Sequence, residues 1–253
     1  MPKFFVLSDV HGFYNEMIEG LVKAGFDRDN SDHWLVGCGD YFDRGPDPVK
    51  VMAYLHNLPR KVLVRGNHEI LFEDCCYRGM GYSHDISNGT EATIRAIAYG
   101  VEDYFPDMCD YALKRTKIFR NSMVLYFETE NYIFVHSWIP TTSTDIFDKE
   151  VGIIKRVQAF DPYWRDATPQ RWEKAMWGCP FEMIDKGFLP QKTIVFGHWP
   201  CSAGWAKAEG RSMFGKDAKF EPFYGNGYIS IDGCTAHSGK VNVVVLEDEF
   251  IDG

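Results

Sequence analysis

Three short apolar runs, KFFVLS (3–8), HWLVG (33–37) and KVLVRG (61–66), are bounded by glycines and polar residues. Runs of this length predict strands buried on both faces. Between the first two, Phe13, Met17 and Leu21 recur at i, i+4 and i+8, predicting an amphipathic helix over 13–24. DPVKVMAYLHNL (47–58) predicts a second helix, with Asp47 as N-cap and Pro48 at the first helical position. Val51, Leu55 and Leu58 form its buried stripe. Strand–helix–strand–helix–strand is the order of an α/β layered fold.

The pattern then changes. Residues 67–118 read as mostly helical, with Ile94, Ile97, Ala98 and Val101 at i, i+3, i+4 and i+7. A helical insert over about 75–120 is expected to pack beside the sheet. SMVLYFE (122–128) and YIFVHS (132–137) predict a hairpin through Thr129, Glu130 and Asn131. Residues 141–190 are mixed and rich in Trp and Pro, a second insert. KTIVFGH (192–198), GYISID (227–232) and KVNVVVLED (240–248) are the remaining predicted strands. No repeat, low-complexity tract or linker interrupts the chain, so one domain over 1–253 is expected.

Composition narrows the classes. The 253 residues carry a net charge of −9, which argues against stable binding to nucleic acid or an anionic membrane. The chain is long enough to bury a substantial core, and its 19 Phe, 13 Tyr and 7 Trp are read as core and cleft-lining residues. The seven cysteines lack CxxC spacing, and the adjacent Cys75 and Cys76 are read as buried structure. No signal-peptide pattern opens the sequence and no apolar run reaches spanning length, so the expected compartment is a reducing cytoplasm. Phosphate-binding P-loop, dinucleotide fingerprint and nucleophile-elbow motifs are missing.

The chemistry sits at the ends of the predicted strands. SDVHG supplies Asp9 and His11; GDYFDRG supplies Asp40, Asp43 and Arg44; RGNHE supplies Asn67, His68 and Glu69. His136 follows YIFV and His198 follows TIVFG. Ligand sites of α/β sheets form on this edge. Asp9, His11 and Asp40 can hold one ion. Asp40, Asn67, His136 and His198 can hold a second, with Asp40 bridging. A mixed oxygen and nitrogen set without thiolate suits Mn²⁺, with Fe or Zn²⁺ as alternatives. Each residue alone has an ordinary explanation: a loop aspartate, an Asp–Arg pair, a first-turn helix acid, a core histidine. Their joint occurrence, each time after a strand, does not. Trp164, Trp172 and Trp177 are read as packing rather than as a binding platform.

SDVHG, GDYFDRG and RGNHE together resemble the signature of the phosphoprotein phosphatase family among calcineurin-like metallophosphoesterases. FVHSWIP, VFGHWP and YISIDGC resemble its downstream motifs, and the likeness is greatest to the bacterial and phage branch. The resemblance implies a β-sandwich of two mixed sheets flanked by helices, two divalent ions on the ligand sets above, and attack by a hydroxide bridging them. It implies that Asp43 and His68 form a dyad, with His68 as general acid, and that Arg44, with Asn67, binds the substrate's phosphate. A second phosphate-binding Arg is expected after a Trp, yet GCPFEM follows Trp177; Arg165 and Arg171 are the remaining candidates. The leading expectation is a Ser/Thr protein phosphatase, with a second specificity for Tyr as an extension. The alternative is a diadenosine tetraphosphate hydrolase. A non-catalytic scaffold is the third reading, disfavoured because all six ligands and His68 remain.

Overall fold

The computed structural model describes residues 1–102, 104–148 and 153–251. Its elements are β1 (Lys3–Leu7), α1 (Tyr14–Ala24), β2 (His33–Cys38), α2 (Pro48–His56), β3 (Lys61–Val64) and α3 (Asn67–Arg78). Next come α4 (Ser83–Asn88), α5 (Thr90–Ile97), α6 (Phe105–Asn121), β4 (Phe127–Glu128), β5 (Tyr132–Phe134), β6 (Thr142–Asp148) and β7 (Ile153–Ala159). The chain continues through α7 (Pro169–Met176), α8 (Pro180–Asp185), β8 (Thr193–Phe196), α9 (Cys201–Glu209), β9 (Phe223–Gly225), β10 (Tyr228–Ser230), α10 (Thr235–Ser238) and β11 (Val244–Glu247).

Two mixed sheets form, ordered β11-β1-β2-β3 and β4-β5-β8-β10-β9. β1, β2 and β3 run parallel, as do β5, β8 and β10, so each sheet ends three strands on one edge. Strand alternation then builds the layers. Phe4 and Val6 meet Val36, Phe134, Val195 and Ile229 between the sheets. Phe5 and Leu7, one residue out of phase, pack on Met17, Val51 and Phe72 of the helical layer. On the far side Ile133, Ile194 and Phe196 pack against Trp138, Trp164 and Trp172. This is a β-sandwich covered on both outer faces.

Helices over 67–118 are present as expected. Helix α2 starts at Pro48 as predicted, but the Asp47 side chain makes no cap hydrogen bond and pairs instead with Lys50 at 2.8 Å. Two predicted strands are shorter than the pattern suggested. In 122–128 only Phe127–Glu128 is strand, because α6 runs to Asn121 and Val124 forms an isolated bridge with Val64 of β3 (Val124 N–H to Leu63 O and Arg65 N–H to Val124 O, both 2.9 Å) before the chain crosses to the other sheet. In 240–248 the strand begins at Val244. The Trp-rich stretch contains an unforeseen antiparallel hairpin, β6–β7.

Trp164 and Trp172 are packing residues, each 2% exposed, with Trp172 stacked on Tyr126 at 5.1 Å. Trp172→Ala should therefore cost about 3–5 kcal/mol, read from the midpoint of urea unfolding. Trp177 is different: it is 46% exposed, correcting the packing reading for that residue.

Candidate active site

The loops that follow β1 and β2 are zipped together by backbone bonds. Asp9 N–H donates to Gly39 O (3.1 Å), His11 N–H to Asp40 O (2.9 Å) and Gly12 N–H to Tyr41 O (2.9 Å). Asp9, His11, Asp40, Asp43, Arg44 and His198 all adopt positive φ, between 49° and 71°. Such conformations cost of order 1–3 kcal/mol each and persist only where surroundings over-determine them. Here the brace is Glu69, which is fully buried. Its carboxylate accepts from Asp40 N (3.0 Å), Tyr41 N (2.8 Å) and Gly66 N (2.8 Å). Burial, then the nearby Asp40 charge, pushes its pKa up to about 7. Gly66 must lack a side chain, since a Cβ there would lie 2.2 Å from Asp40 Oδ1. Glu69→Gln leaves at least one of these N–H groups without an acceptor. It should cost about 1–3 kcal/mol of stability in a denaturant titration.

Within this frame Asp9, His11, Asp40, Asn67, His136 and His198 converge, all but His198 nearly sealed from solvent. His11 Nδ1 donates to Phe42 O (2.9 Å), which turns Nε2 inward, 3.9 Å from Asp9 Oδ1 and 3.7 Å from Asp40 Oδ2. That Nε2 is buried without any hydrogen-bond partner. His136 Nδ1 donates to Cys38 O (2.8 Å), which turns its Nε2 inward as well. It faces Asn67 Oδ1 (2.7 Å), His198 Nδ1 (3.2 Å) and Asp40 Oδ1 (3.4 Å). Burial holds the pKa of His11 well below the histidine norm and, helped by His136, lowers that of His198 to about 3. Both rings are therefore held toward the neutral form that a metal ligand needs. Burial alone would raise Asp40, but His136, His68, His11 and His198 outweigh it and hold the carboxylate below its usual range. Lone pairs turned on one another in a sealed space are the donor set a divalent cation requires. Among the described residues two groups have potential ligand atoms within 4.8 Å, His11–Asp40–His68 and Asp40–His136–His198, and Asp40 belongs to both.

His68 stands beside this cluster with Nδ1 at 2.8 Å from Asp43 Oδ2 and Nε2 at 3.2 Å from Arg44 Nη2. Burial works against its charged form, but Asp40 and the bond to Asp43 prevail and raise its pKa. The helical insert holds the other side of this pair. Thr90 Oγ1 donates to Asp43 Oδ2 (2.7 Å), Asp43 N–H donates to Thr93 Oγ1 (3.0 Å) and Arg44 N–H donates to Asn88 O (3.1 Å). Gly89, at φ +86°, lets that contact form, since a Cβ there would sit 2.5 Å from Arg44 N.

Neither candidate for a second phosphate-binding Arg is free. Arg165 pairs with Glu128 at 2.7 Å, and Arg171 with Asp161 and the Thr141 carbonyl. One carboxylate was missed from the pattern: Asp232, 5% exposed just beyond β10. Burial and Asp9 drive its pKa well above the carboxylate norm. The signal was in YISID, a further acid after an apolar strand. Asp9 is also raised, by burial and by Asp40.

Comparison with known proteins agrees with this geometry. Residues 2–218 match the calcineurin-like phosphoesterase family. A symmetrical bis(5'-nucleosyl)-tetraphosphatase of Buchnera aphidicola is 41% identical over 71 residues, 28% of this chain and 25% of that protein. One from Photorhabdus laumondii is 39% identical over 67 residues, 26% and 24% of the two chains. The match thus spans about a quarter of the length of these curated relatives. Among solved structures, a cold-active protein tyrosine phosphatase of a psychrophilic Shewanella superposes with TM-score 0.50 at 16% identity, over 98% of this chain and 76% of that one. At that identity the likeness is one of fold. With the family match extending over most of its length, the chain belongs to the calcineurin-like phosphoesterases.

Proposed function

We propose that the chain hydrolyses phosphomonoester bonds at a centre for two divalent ions, held by Asp9, His11 and Asp40 on one side and by Asp40, Asn67, His136 and His198 on the other. The observation that carries this reading is the pair of inward imidazole nitrogens, Nε2 of His11 and Nε2 of His136, set on opposite oxygens of one buried carboxylate. Ions held by these residues would supply an activated water and neutralise charge on the phosphoryl oxygens. The donor set favours Mn²⁺, with Fe or Zn²⁺ as alternatives.

The chain's own residues do the rest. Arg44 offers a planar fork for two phosphate oxygens. In the neutral ring, His68 Nε2 accepts from Arg44. Once His68 is protonated, Nε2–H needs another acceptor, and the leaving-group oxygen of an ester held by Arg44 provides one. Asp43 holds the ring from behind and favours the charged form. Turnover should then fall on the alkaline side as His68 loses its proton. Because the Asp43 bond raises that pKa, Asp43→Asn should move the alkaline limb of the kcat profile to lower pH. A limb that stays in place would separate it from His68.

The same attack on phosphorus serves two substrate classes, the monoesters of phosphoseryl or phosphothreonyl proteins and the phosphoanhydride of dinucleoside tetraphosphates. The relatives named symmetrical bis(5'-nucleosyl)-tetraphosphatases favour the second. Turnover of the Mn²⁺-loaded protein on phosphopeptides, nucleoside polyphosphates and cyclic nucleotides is the deciding measurement. No hydrolysis of any of them with metal bound would overturn the proposal. Among the described residues no helix is long and apolar enough to cross a membrane.

A further inference from the structure

We propose that the cavity walled by the Trp-rich segment binds the leaving group of a nucleoside polyphosphate: a planar base followed by a short anionic phosphate chain. The inference rests on the phosphoester-hydrolase reading above and names the substrate class that reading leaves open.

The cavity encloses about 940 Å³, within the range of small-molecule sites. Two of its lining residues follow candidate ligands closely along the chain. Trp199 is the residue after His198, about 3.8 Å away between Cα atoms, and Trp138 lies two residues beyond His136; both line the cavity. Ser137, between His136 and Trp138, donates to the Gly178 carbonyl at 2.7 Å, tying the ligand loop to the cavity floor.

The lining has the chemistry of a base and its phosphates. Trp138, Trp177 and Trp199 contribute three indoles, and Arg156, Arg171 and Lys174 three cations, against the single acid Glu182 among the lining residues. This cationic excess stands on a chain of net charge −9. Arg156 and Arg171 already have carboxylate partners in Asp145 and Asp161. Lys174 has no carboxylate partner among the described residues. Trp138 is 2% exposed, yet its indole N–H has no acceptor, a buried donor of the kind that native structures satisfy with a ligand or water. Trp177, 46% exposed, presents a ring for stacking. A phosphopeptide would bring an extended backbone in search of amide partners; indoles beside a lysine ammonium suit a base with trailing phosphates.

The test compares wild type with Trp177→Ala, Trp177→Phe and Lys174→Ala, each Mn²⁺-loaded. Substrates are diadenosine tetraphosphate, p-nitrophenyl phosphate and a phosphoserine peptide. In parallel, ADP is titrated calorimetrically into metal-free protein. The ratio of kcat/KM for the dinucleotide to that for p-nitrophenyl phosphate should fall about tenfold or more in each alanine variant, the scale of one lost base–indole stack. Trp177→Phe should keep most of it, and ADP affinity should weaken in step. Equal losses on both substrates, unchanged ADP binding, or a selective loss on the phosphopeptide would each overturn the proposal. Wild type that binds ADP through Trp177 and Lys174 yet hydrolyses nothing would sink the hydrolase reading and leave the subsite standing. Hydrolysis of p-nitrophenyl phosphate without ADP binding would do the reverse.

Discussion

Asp40→Asn protein, purified and incubated with excess Mn²⁺, is expected to retain neither ion. Asp40 is the one carboxylate present in both groups of converging ligands. Its Oδ1 lies 3.4 Å from His136 Nε2 and its Oδ2 3.7 Å from His11 Nε2. Asparagine keeps one oxygen, loses the charge that offsets repulsion between two cations, and turns an N–H₂ toward a nitrogen that offers only a lone pair. The His68 backbone N–H, which donates to Oδ1 at 3.0 Å, adds a second constraint on which way the amide can face. Turnover should fall by more than the roughly 10²–10³-fold that loss of one preorganised electrostatic group costs. Elemental analysis showing two ions per chain would refute the bridging role.

His68→Asn should separate chemistry from metal retention. Its Nδ1 is held by Asp43, and its Nε2 meets Arg44 at 3.2 Å while standing 4.0 Å from Asp40 Oδ2, a little beyond the 3.7 Å of His11 Nε2. The variant is expected to keep both ions and to lose about 10²–10⁴-fold in kcat on an alkyl phosphate, the usual contribution of a positioned general acid. On p-nitrophenyl phosphate the loss should be smaller, because a stable phenolate departs with less help. Since His68 also groups with His11 and Asp40 within 4.8 Å, metal content is the decisive readout. Loss of one ion would make His68 a ligand and would displace Asp9 from that role.

The strands that carry the site were legible because their neighbours bury both faces. Phe4 through Leu7 are apolar without interruption, feeding alternately the sandwich and the helical layer. The residues proposed as ligands were legible as a set for a related reason: each follows such a run at short spacing. The β6–β7 hairpin was not, since Thr142 through Asp145 are exposed and no buried face imposes alternation. The supports of the site were also hidden. Glu69 reads as a helix first-turn acid, and only folding aims it at amides of a loop 28 and 29 positions earlier. Thr90 and Thr93 sit 47 and 50 positions from the aspartate they hold, with nothing local to mark them. Asp232 was readable in principle, as a sixth strand ending in a chemically active side chain.

The hydroxyls that reach Asp43 from α5 mean that the insert is not an interchangeable module. Transplanting this region between relatives, or trimming it to make a smaller protein, would strip the Asp43–His68 pair of its outer support while leaving the proposed ligands in place. A graft that succeeds must bring along a threonine pair in the same register and a glycine where Gly89 meets the chain. Diversification of this segment is therefore confined to its solvent side.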